Sequence, residues 1–292
     1  MGIYLNPDSS KFEEAVNSDI YIDKTGLLTY TNSVLHTMQK YICISRPRRF
    51  GKSIAANMLT AYYSRGCDAE QLFSQFEISK ETDFKKYLNQ YNTISVNMQE
   101  ILSRSQDVCA LISRFGRLII RDLKNEYPDV DYFDDTDVIE CMQDVYAQKK
   151  QPFIIIIDEW DCIFRRHKED NDSQTTYLNF LRDLLKNKSY IALAYMTGIL
   201  PIKKYGEHSA INMFTEISMT NARELAEFTG FTESEVHELC RCYNMPFDET
   251  KRWYDGYNLK GMSIYNPRSV VMSMTGHDYD SYWTSTETYE AL

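Results

Sequence analysis

The chain has few of the features that mark membrane, secreted or metal-cluster proteins. Even the apolar run FIIII at 153–157 is far too short to cross a bilayer, and the opening MGIYLNPDSS lacks the basic and apolar regions of a signal peptide. Its seven cysteines lack the CxxC spacing of a zinc site or redox dithiol, and its five histidines are widely separated. We therefore predict a cytoplasmic protein with no membrane partner.

Positive charge is also scarce. The 292 residues carry a formal net charge of -10, which argues against a surface built throughout to bind nucleic acid, because phosphates attract the opposite sign. Basic residues are dense only between positions 46 and 52, in the stretch RPRRFGK. Binding of nucleic acid at this patch therefore stays open.

Glycine and proline are sparse, at 11 and 7 residues, and no hinge between independent domains is visible. The remaining pattern alternates strands with helices. YICIS at 41–45 is typical of a short buried strand, and the residues after it have helical apolar spacing. Further strands are predicted at 92–98, in FIIIIDEWD at 153–161, and at 190–198 and 213–219. This alternation predicts a parallel α/β sheet.

The loop between the first strand and its helix resembles a phosphate-binding loop. A standard P-loop reads G-x-x-x-x-G-K-[ST], but Arg46 stands where the first glycine is expected, and Pro47 stiffens the start. Gly51 allows close backbone approach, Lys52 would reach the β- and γ-phosphates, and Ser53 would offer a hydroxyl to Mg²⁺. Arginine side chains could partly replace backbone donors. The residues predicted to bind the nucleotide here are Arg46, Arg48, Arg49, Phe50, Gly51, Lys52, Ser53 and Ile54.

Two acids at the end of the third strand supply the second half of a hydrolytic site. Asp158 is predicted to hold the Mg²⁺ shell and Glu159 to act as general base, since both would lie at the carboxyl end of a strand near the loop. A predicted strand separates Lys52 from Asp158 in the chain, as in the branch of P-loop ATPases with an inserted strand. Asp161 is interpreted as part of a solvated loop. The fold predicted overall is a P-loop NTPase three-layer α/β sandwich.

Thr197, at the end of the fourth strand, could orient the attacking water or sense the γ-phosphate, and it could equally just end the strand before Gly198. Arg165 and Arg166 follow the acids and could reach the phosphates of a neighbouring subunit. A solvated helix face is the favoured interpretation for this arginine pair.

The last quarter of the chain changes pattern. Thr232 and Glu235 are spaced as a capping box, and residues 220–260 are predicted to form a small helical lid. We divide the chain into an ATPase core at 1–219 and a C-terminal region at 220–292. Its tail, DYDSYWTSTETYEAL, lacks a stop signal and is expected to be truncated. DETK at 248–251 contains the E-x-K of a metal-dependent nuclease, but in a helix Glu249 and Lys251 would diverge by about 200°, which indicates chance.

Together, five motifs in order resemble the bacterial AAA-ATPase-like family. Its members are similar to AAA+ and STAND-related P-loop ATPases, and many carry a PD-(D/E)XK nuclease-like domain at the C-terminus, which this chain would lack. The motifs are YIDKTGLL at 21–28, RPRRFGKS at 46–53, IIIIDEWD at 154–161, MTGILPI at 196–202, and WYDGYN at 253–258 with IYNP at 264–267.

This resemblance makes Arg46 a family feature, and it places Lys52, Ser53, Asp158 and Glu159 on matching positions. It also implies that the stretch around Asp23 and Lys24 lies near the nucleotide base or ribose. The expected function is an ATP-binding, Mg²⁺-dependent ATPase that regulates an attached or associated effector, such as a nuclease acting against mobile elements. A homo-oligomer is possible. The alternatives are a nucleotide-gated switch with almost no turnover, and a scaffold whose loop arginines bind nucleic acid.

Overall fold

A computed structural model describes residues 2–202, 211–221, 223–259 and 261–282. At its centre is a parallel five-stranded sheet in the order β2-β3-β4-β1-β5. The strands are β1 (Tyr41–Ser45), β2 (Asn92–Asn97), β3 (Phe153–Asp158), β4 (Ile191–Gly198) and β5 (Thr215–Ile217). All five lie within the stretches predicted from sequence.

The third strand shows why the sheet lies in the middle layer. All six of its residues are buried. Ile155 and Ile157 belong to the apolar core on one face of the sheet, whereas Ile154 and Ile156 belong to the core on the other. Side chains alternate across a strand, so an unbroken apolar run is what burial on both faces requires. The predicted three-layer sandwich is confirmed.

Helices cover both faces, and several begin at a capping aspartate. Asp107, Asp137 and Asp170 each accept a hydrogen bond from a backbone N–H in the first turn of the helix that follows. The helices are α1 (Ser10–Val16), α2 (Gly26–Val34), α3 (Lys52–Tyr63), α4 (Glu70–Phe73), α5 (Phe84–Tyr87), α6 (Met98–Ser103), α7 (Val108–Glu126), α8 (Val138–Lys149), α9 (Cys162–Arg166) and α10 (Asn171–Leu185). A 3₁₀ helix spans Glu77–Lys80.

The strand order brings polar residues together. Strand β4 lies between β1 and β3. The strand before the phosphate-binding-like loop (β1, the loop strand) and the strand that ends in Asp158 (β3, the acid strand) are therefore not neighbours. Because all strands are parallel, their carboxyl ends meet at one edge of the sheet. In the register of the sheet, Asn97 pairs with Asp158 and Ser45 with Gly198. This edge is where open α/β sheets bind ligands.

The C-terminal subdomain, residues 223–282, contains a second sheet, and the expectation of a purely helical lid was incomplete. Its sheet is antiparallel, in the order β6-β8-β7, and pairs Phe231 with Tyr265 across more than thirty residues of chain. Pairing between such distant segments gives no local hydrophobic periodicity from which these strands could be predicted. The capping box of Thr232 and Glu235 is confirmed.

The elements of this subdomain are a 3₁₀ helix (Arg223–Phe228), β6 (Phe231–Thr232), α11 (Glu233–Cys242), α12 (Phe247–Tyr254), β7 (Asp255–Leu259), β8 (Met262–Tyr265) and α13 (Pro267–Gly276). Most of the tail whose truncation was expected, residues 283–292, lies outside the described residues. Within the described ranges, no helix is both long enough and apolar enough to span a bilayer.

Candidate nucleotide-binding site

The loop from β1 to α3 turns on a left-handed glycine. Gly51 is the N-cap residue of α3 and has φ 80°. A Cβ added there would meet no atom within 4 Å, so the backbone angle, not a lack of space, favours glycine. Arg49 also has a positive φ, of 70°. The first-turn N–H groups of α3 and its positive dipole end therefore lie where a phosphate can approach.

Lys52, the first residue of α3, turns its ammonium into this loop. Its Nζ donates to the carbonyl oxygens of Arg46 at 3.0 Å and Pro47 at 2.9 Å. Only 5% of the residue is exposed. Burial lowers the pKa of Lys52, and the nearby carboxylates of Glu159 and Asp158 partly oppose this. A buried cation at a helix N-terminus is suited to contact an anionic ligand.

The Asp158 carboxylate is the centre of a hydrogen-bond cluster at the sheet edge. Its Oδ2 accepts from Ser53 Oγ at 2.7 Å and from Asn97 Nδ2 at 3.2 Å. Its Oδ1 accepts from Thr197 Oγ1, and from the Glu159 backbone N–H at 3.1 Å. The structure thus brings together Ser53, Asp158 and Thr197, which were predicted separately.

Asn97 was missed by the sequence reasoning. The available signal was a polar residue at the end of the predicted strand 92–98, next to the acid strand in the sheet. Its side chain is shared between Asp158 and the cap of α6, where its Oδ1 accepts from the Glu100 N–H at 3.1 Å. Asn97 therefore fixes the direction of the Asp158 carboxylate.

Glu159 occupies an unusual backbone position. It has φ 56°, in the left-handed region that non-glycine residues seldom adopt. Burial raises the pKa of its carboxyl, while the cations Arg165 and Lys52 act in the opposite direction. Its Oε2 accepts a hydrogen bond from Arg165 Nη2. Arg165 therefore does not lie on a solvated helix face, and the favoured interpretation of that residue was wrong, whereas Arg166 is exposed.

Asp161 was expected in a solvated loop, and this expectation was wrong. The residue is fully buried. Its Oδ2 accepts from the backbone N–H groups of Ile199 at 3.0 Å and Leu200 at 2.8 Å. Asp161 therefore anchors the segment after β4, because a buried carboxylate needs donors to replace water.

Arg46, at the position of the missing glycine, points into the protein. Its side chain is fully buried, and burial lowers its pKa to about 10. The guanidinium donates from Nε to Thr229 Oγ1 at 3.1 Å and from Nη1 to the Ile217 carbonyl at 3.3 Å. Arg46 thus joins the loop to β5 and to the C-terminal subdomain.

Other loop residues also contact the C-terminal subdomain. Phe50 is buried and packs edge-on against Tyr257, with ring centroids 5.0 Å apart. The Phe50 carbonyl accepts from the Gly230 N–H at 3.0 Å. The Arg48 carbonyl accepts from Asn266 Nδ2 at 3.5 Å. The Arg48 side chain is exposed and Ile54 is 44% exposed, so these two remain accessible to solvent.

Asp23 and Lys24 make contacts of another kind. Asp23 accepts from the N–H groups of Thr25 and Glu77, each at 2.8 Å. Lys24 Nζ forms an ion pair with Glu235 at 2.5 Å and donates to the Glu227 carbonyl at 2.7 Å. Both side chains therefore tie the N-terminal segment to neighbouring elements. A role beside the base or ribose stays a prediction.

The oxygen ligands present fit Mg²⁺. Ser53 and Asp158 hold a hydroxyl and a carboxylate 2.7 Å apart, and hard cations prefer oxygen. Among the described residues, no three His, Cys, Asp or Glu side chains gather into a possible metal site. Mg²⁺ is commonly held by one or two carboxylates together with water and substrate phosphates, so one carboxylate and one hydroxyl suffice.

Two known proteins are similar to this chain, one in sequence and one among solved structures. An uncharacterized protein encoded in the vnfD 5' region of Azotobacter chroococcum mcd 1 is 22% identical over 92% of this chain. The chain spans 51% of that relative's length. The solved ORC2 protein of Aeropyrum pernix, in ADPNP–ADP complexes, matches 75% of this chain and 49% of its own, at 11% identity and a TM-score of 0.39.

The family model described as predicted AAA-ATPase covers well over half of the sequence, including the loop, both acids and Thr197. Since the match runs through residues 9–206, the chain belongs to the predicted AAA-ATPase-like family.

Proposed function

We propose that this chain binds ATP with Mg²⁺ and hydrolyses it to ADP and phosphate. The observation that carries the proposal is the hydrogen bond from Ser53 to Asp158 beside the buried ammonium of Lys52. It joins the first turn of the loop helix to the end of the acid strand. These are the two places from which P-loop ATPases hold Mg²⁺.

Each residue has a role in this proposal. Lys52 compensates the β- and γ-phosphates, and Ser53 and Asp158 hold Mg²⁺, which supplies charge neutralisation on the phosphates. Glu159 takes a proton from the attacking water. Thr197, whose hydroxyl is bonded to Asp158, would orient that water or contact the γ-phosphate.

The loop and the N-terminal segment would also contribute to nucleotide binding. The loop residues 46–54 would surround the phosphates chiefly with backbone groups, since the Arg46 guanidinium bonds to protein atoms. Asp23 and Lys24 would support the base side of the site through the segments they hold.

Regulation of an effector is the second part of the proposal. The loop contacts the C-terminal subdomain through Arg46, Arg48 and Phe50, so a change of the loop on nucleotide binding would reach residues 229–266. The family resemblance suggests a nuclease-like effector used against mobile elements, and assembly into a homo-oligomer would fit the same role.

A nucleotide-gated switch with little turnover is the second candidate. It is favoured by the contact of Arg165 with Glu159, which occupies the proposed base. The scaffold reading, in which the loop binds nucleic acid, loses support because one of its cations, Arg46, is fully buried.

Steady-state phosphate release with and without Mg²⁺ tests the proposal. We expect Mg²⁺-dependent turnover in the parent, and Glu159→Gln to lower it by about a hundredfold to ten-thousandfold while ATP stays bound, since the side chain keeps its size but loses its charge and basicity. Glu169→Gln, which changes an exposed acid ten positions after Glu159 in the chain, is the matched control. Parental turnover in Glu159→Gln would refute the assigned base. ATP binding without any turnover would support the switch.

A further inference from the structure

Arg165 is held between two acids of the candidate site. Its Nη2 donates to Glu159 Oε2, and its Nε lies 3.6 Å from Asp161 Oδ2. The side chains of Arg165 and Glu159 are only 17% and 20% exposed. This ion pair is thus largely shielded from water and is stronger than a pair on the surface.

The local chain geometry produces this contact. Helix α9 starts directly after the acid segment, and the Arg165 N–H bonds to the Asp161 carbonyl at 3.3 Å, which aligns the two residues on one helix face. The left-handed backbone at Glu159 turns the chain between β3 and α9. Arg166, one position on, is exposed. Of two adjacent arginines, only Arg165 points at the acid.

This contact has a chemical consequence for a general base. A carboxylate must present a free lone pair to the proton that it removes, and its basicity falls when a guanidinium is bonded to it. The Arg165–Glu159 contact therefore opposes proton removal from water. Arg165 is also close enough to Lys52 to help lower the pKa of that ammonium, so both cations face the same small region.

We propose that Arg165 is a positioning residue that latches Glu159 in a resting state, with or without ATP bound, and releases it when helix α9 moves. This inference rests on the proposed function, since it assigns regulation to the same site. The latch belongs to one chain and needs no neighbouring subunit. It keeps turnover low in the ATP-bound protein until a partner that moves α9 opens the pair.

The test compares Arg165→Ala with Arg166→Ala, its neighbour of equal charge, in the parent and in Glu159→Gln. Mg²⁺-ATP binding and steady-state turnover are measured on each protein. We expect Arg165→Ala to raise kcat by roughly three- to tenfold with little change in ATP affinity, as for release of a partly buried ion pair. Arg166→Ala should match the parent, and in Glu159→Gln removal of Arg165 should give no acceleration.

Turnover of Arg165→Ala at or below the parental rate, with parental ATP affinity, would overturn the latch. Acceleration that persists in Glu159→Gln would also overturn it, because the gain would not pass through the base. Failure of the parent to bind ATP would instead reject the proposed function, and the latch with it. If Arg165→Ala melts without cooperativity, Arg165→Met, which keeps a long side chain and removes the charge, replaces it in the comparison.

Discussion

Ser53 and Asp158 lie 105 positions apart in the chain, and their side-chain oxygens are 2.7 Å apart in the fold. The hydroxyl is at the start of the loop helix and the carboxylate at the end of the acid strand. Because Asn97 and Thr197 also bond to this carboxylate, its direction is set by three different elements. Such fixed orientation is what a metal ligand requires of its supporting residues.

Changing Asp158, a proposed Mg²⁺ ligand, should weaken the Mg²⁺ dependence of ATP binding. Asp158→Asn keeps the shape of the side chain but removes the charge that attracts the cation. We therefore expect the gain in ATP affinity on adding Mg²⁺ to be smaller than in the parent by a factor of about ten or more. Calorimetry with Mg²⁺ or EDTA measures this. Asp172→Asn, an exposed aspartate at the start of α10, should behave as the parent. Undiminished Mg²⁺ dependence in Asp158→Asn would reject the ligand assignment.

Removing the Thr197 hydroxyl should reduce turnover more than binding. Thr197→Val keeps the volume of this buried residue but leaves Asp158 Oδ1 without its side-chain donor. A hydrogen bond to a charged group contributes about 1.5 to 3 kcal/mol, so we expect kcat to fall by roughly one to two orders of magnitude. Thr197→Ser should restore most of the rate. Equal rates in Thr197→Val and the parent would show that Thr197 only ends the strand and has no role in turnover.

A side chain at Gly230 should disturb the contact between the loop and the C-terminal subdomain and destabilise the fold. This residue has φ 93°, and a Cβ there would lie 2.4 Å from Ile264 Cγ2 and 3.1 Å from Phe50 Cδ1. Left-handed strain of about 1 to 2 kcal/mol and overpacking of about 1 to 3 kcal/mol should both destabilise Gly230→Ala.

Gly261→Ala separates these two effects. Gly261 has φ 87°, with no atom within 4 Å of an added Cβ, so only the strain should appear. Denaturant titration gives both free energies of unfolding, and we expect Gly230→Ala to lose more stability and also some ATP affinity through Phe50. Equal losses in the two variants would show that the overlap with Ile264 and Phe50 does not add to the strain.

This chain by itself should not cleave DNA or RNA in a metal-dependent reaction. Glu249 and Lys251 lie on α12, where Lys251 instead pairs with Glu233 at 2.7 Å and Glu249 is exposed. Incubation of the purified protein with plasmid or RNA and Mg²⁺ or Mn²⁺ checks this. Cleavage that disappears in Glu249→Ala would show that DETK is a nuclease motif after all.

The sheet could be predicted because its signals are local. The unbroken apolar run FIIII is expected only in a strand that is buried on both faces of a sheet. The acids that follow it mark the end of that strand, whatever its position in the sheet. The contacts of Arg46 and Asn97 could not be predicted in the same way. Arg46 bonds to Thr229, 183 positions away, which depends on how the C-terminal subdomain packs against the loop. Asn97 bonds to Asp158, 61 positions away, which depends on the order of strands in the completed sheet.

Calorimetric titration of ATP and Mg²⁺ into the parent and Lys52→Ala tests the phosphate site most directly. We expect removal of this buried ammonium to weaken ATP binding by about 2 to 4 kcal/mol, the range for truncating a buried charged contact. Lys86→Ala, which removes an exposed lysine on α5, should bind as the parent does. ATP affinity that is unchanged in a folded Lys52→Ala protein would contradict the assignment of this loop as a phosphate-binding site.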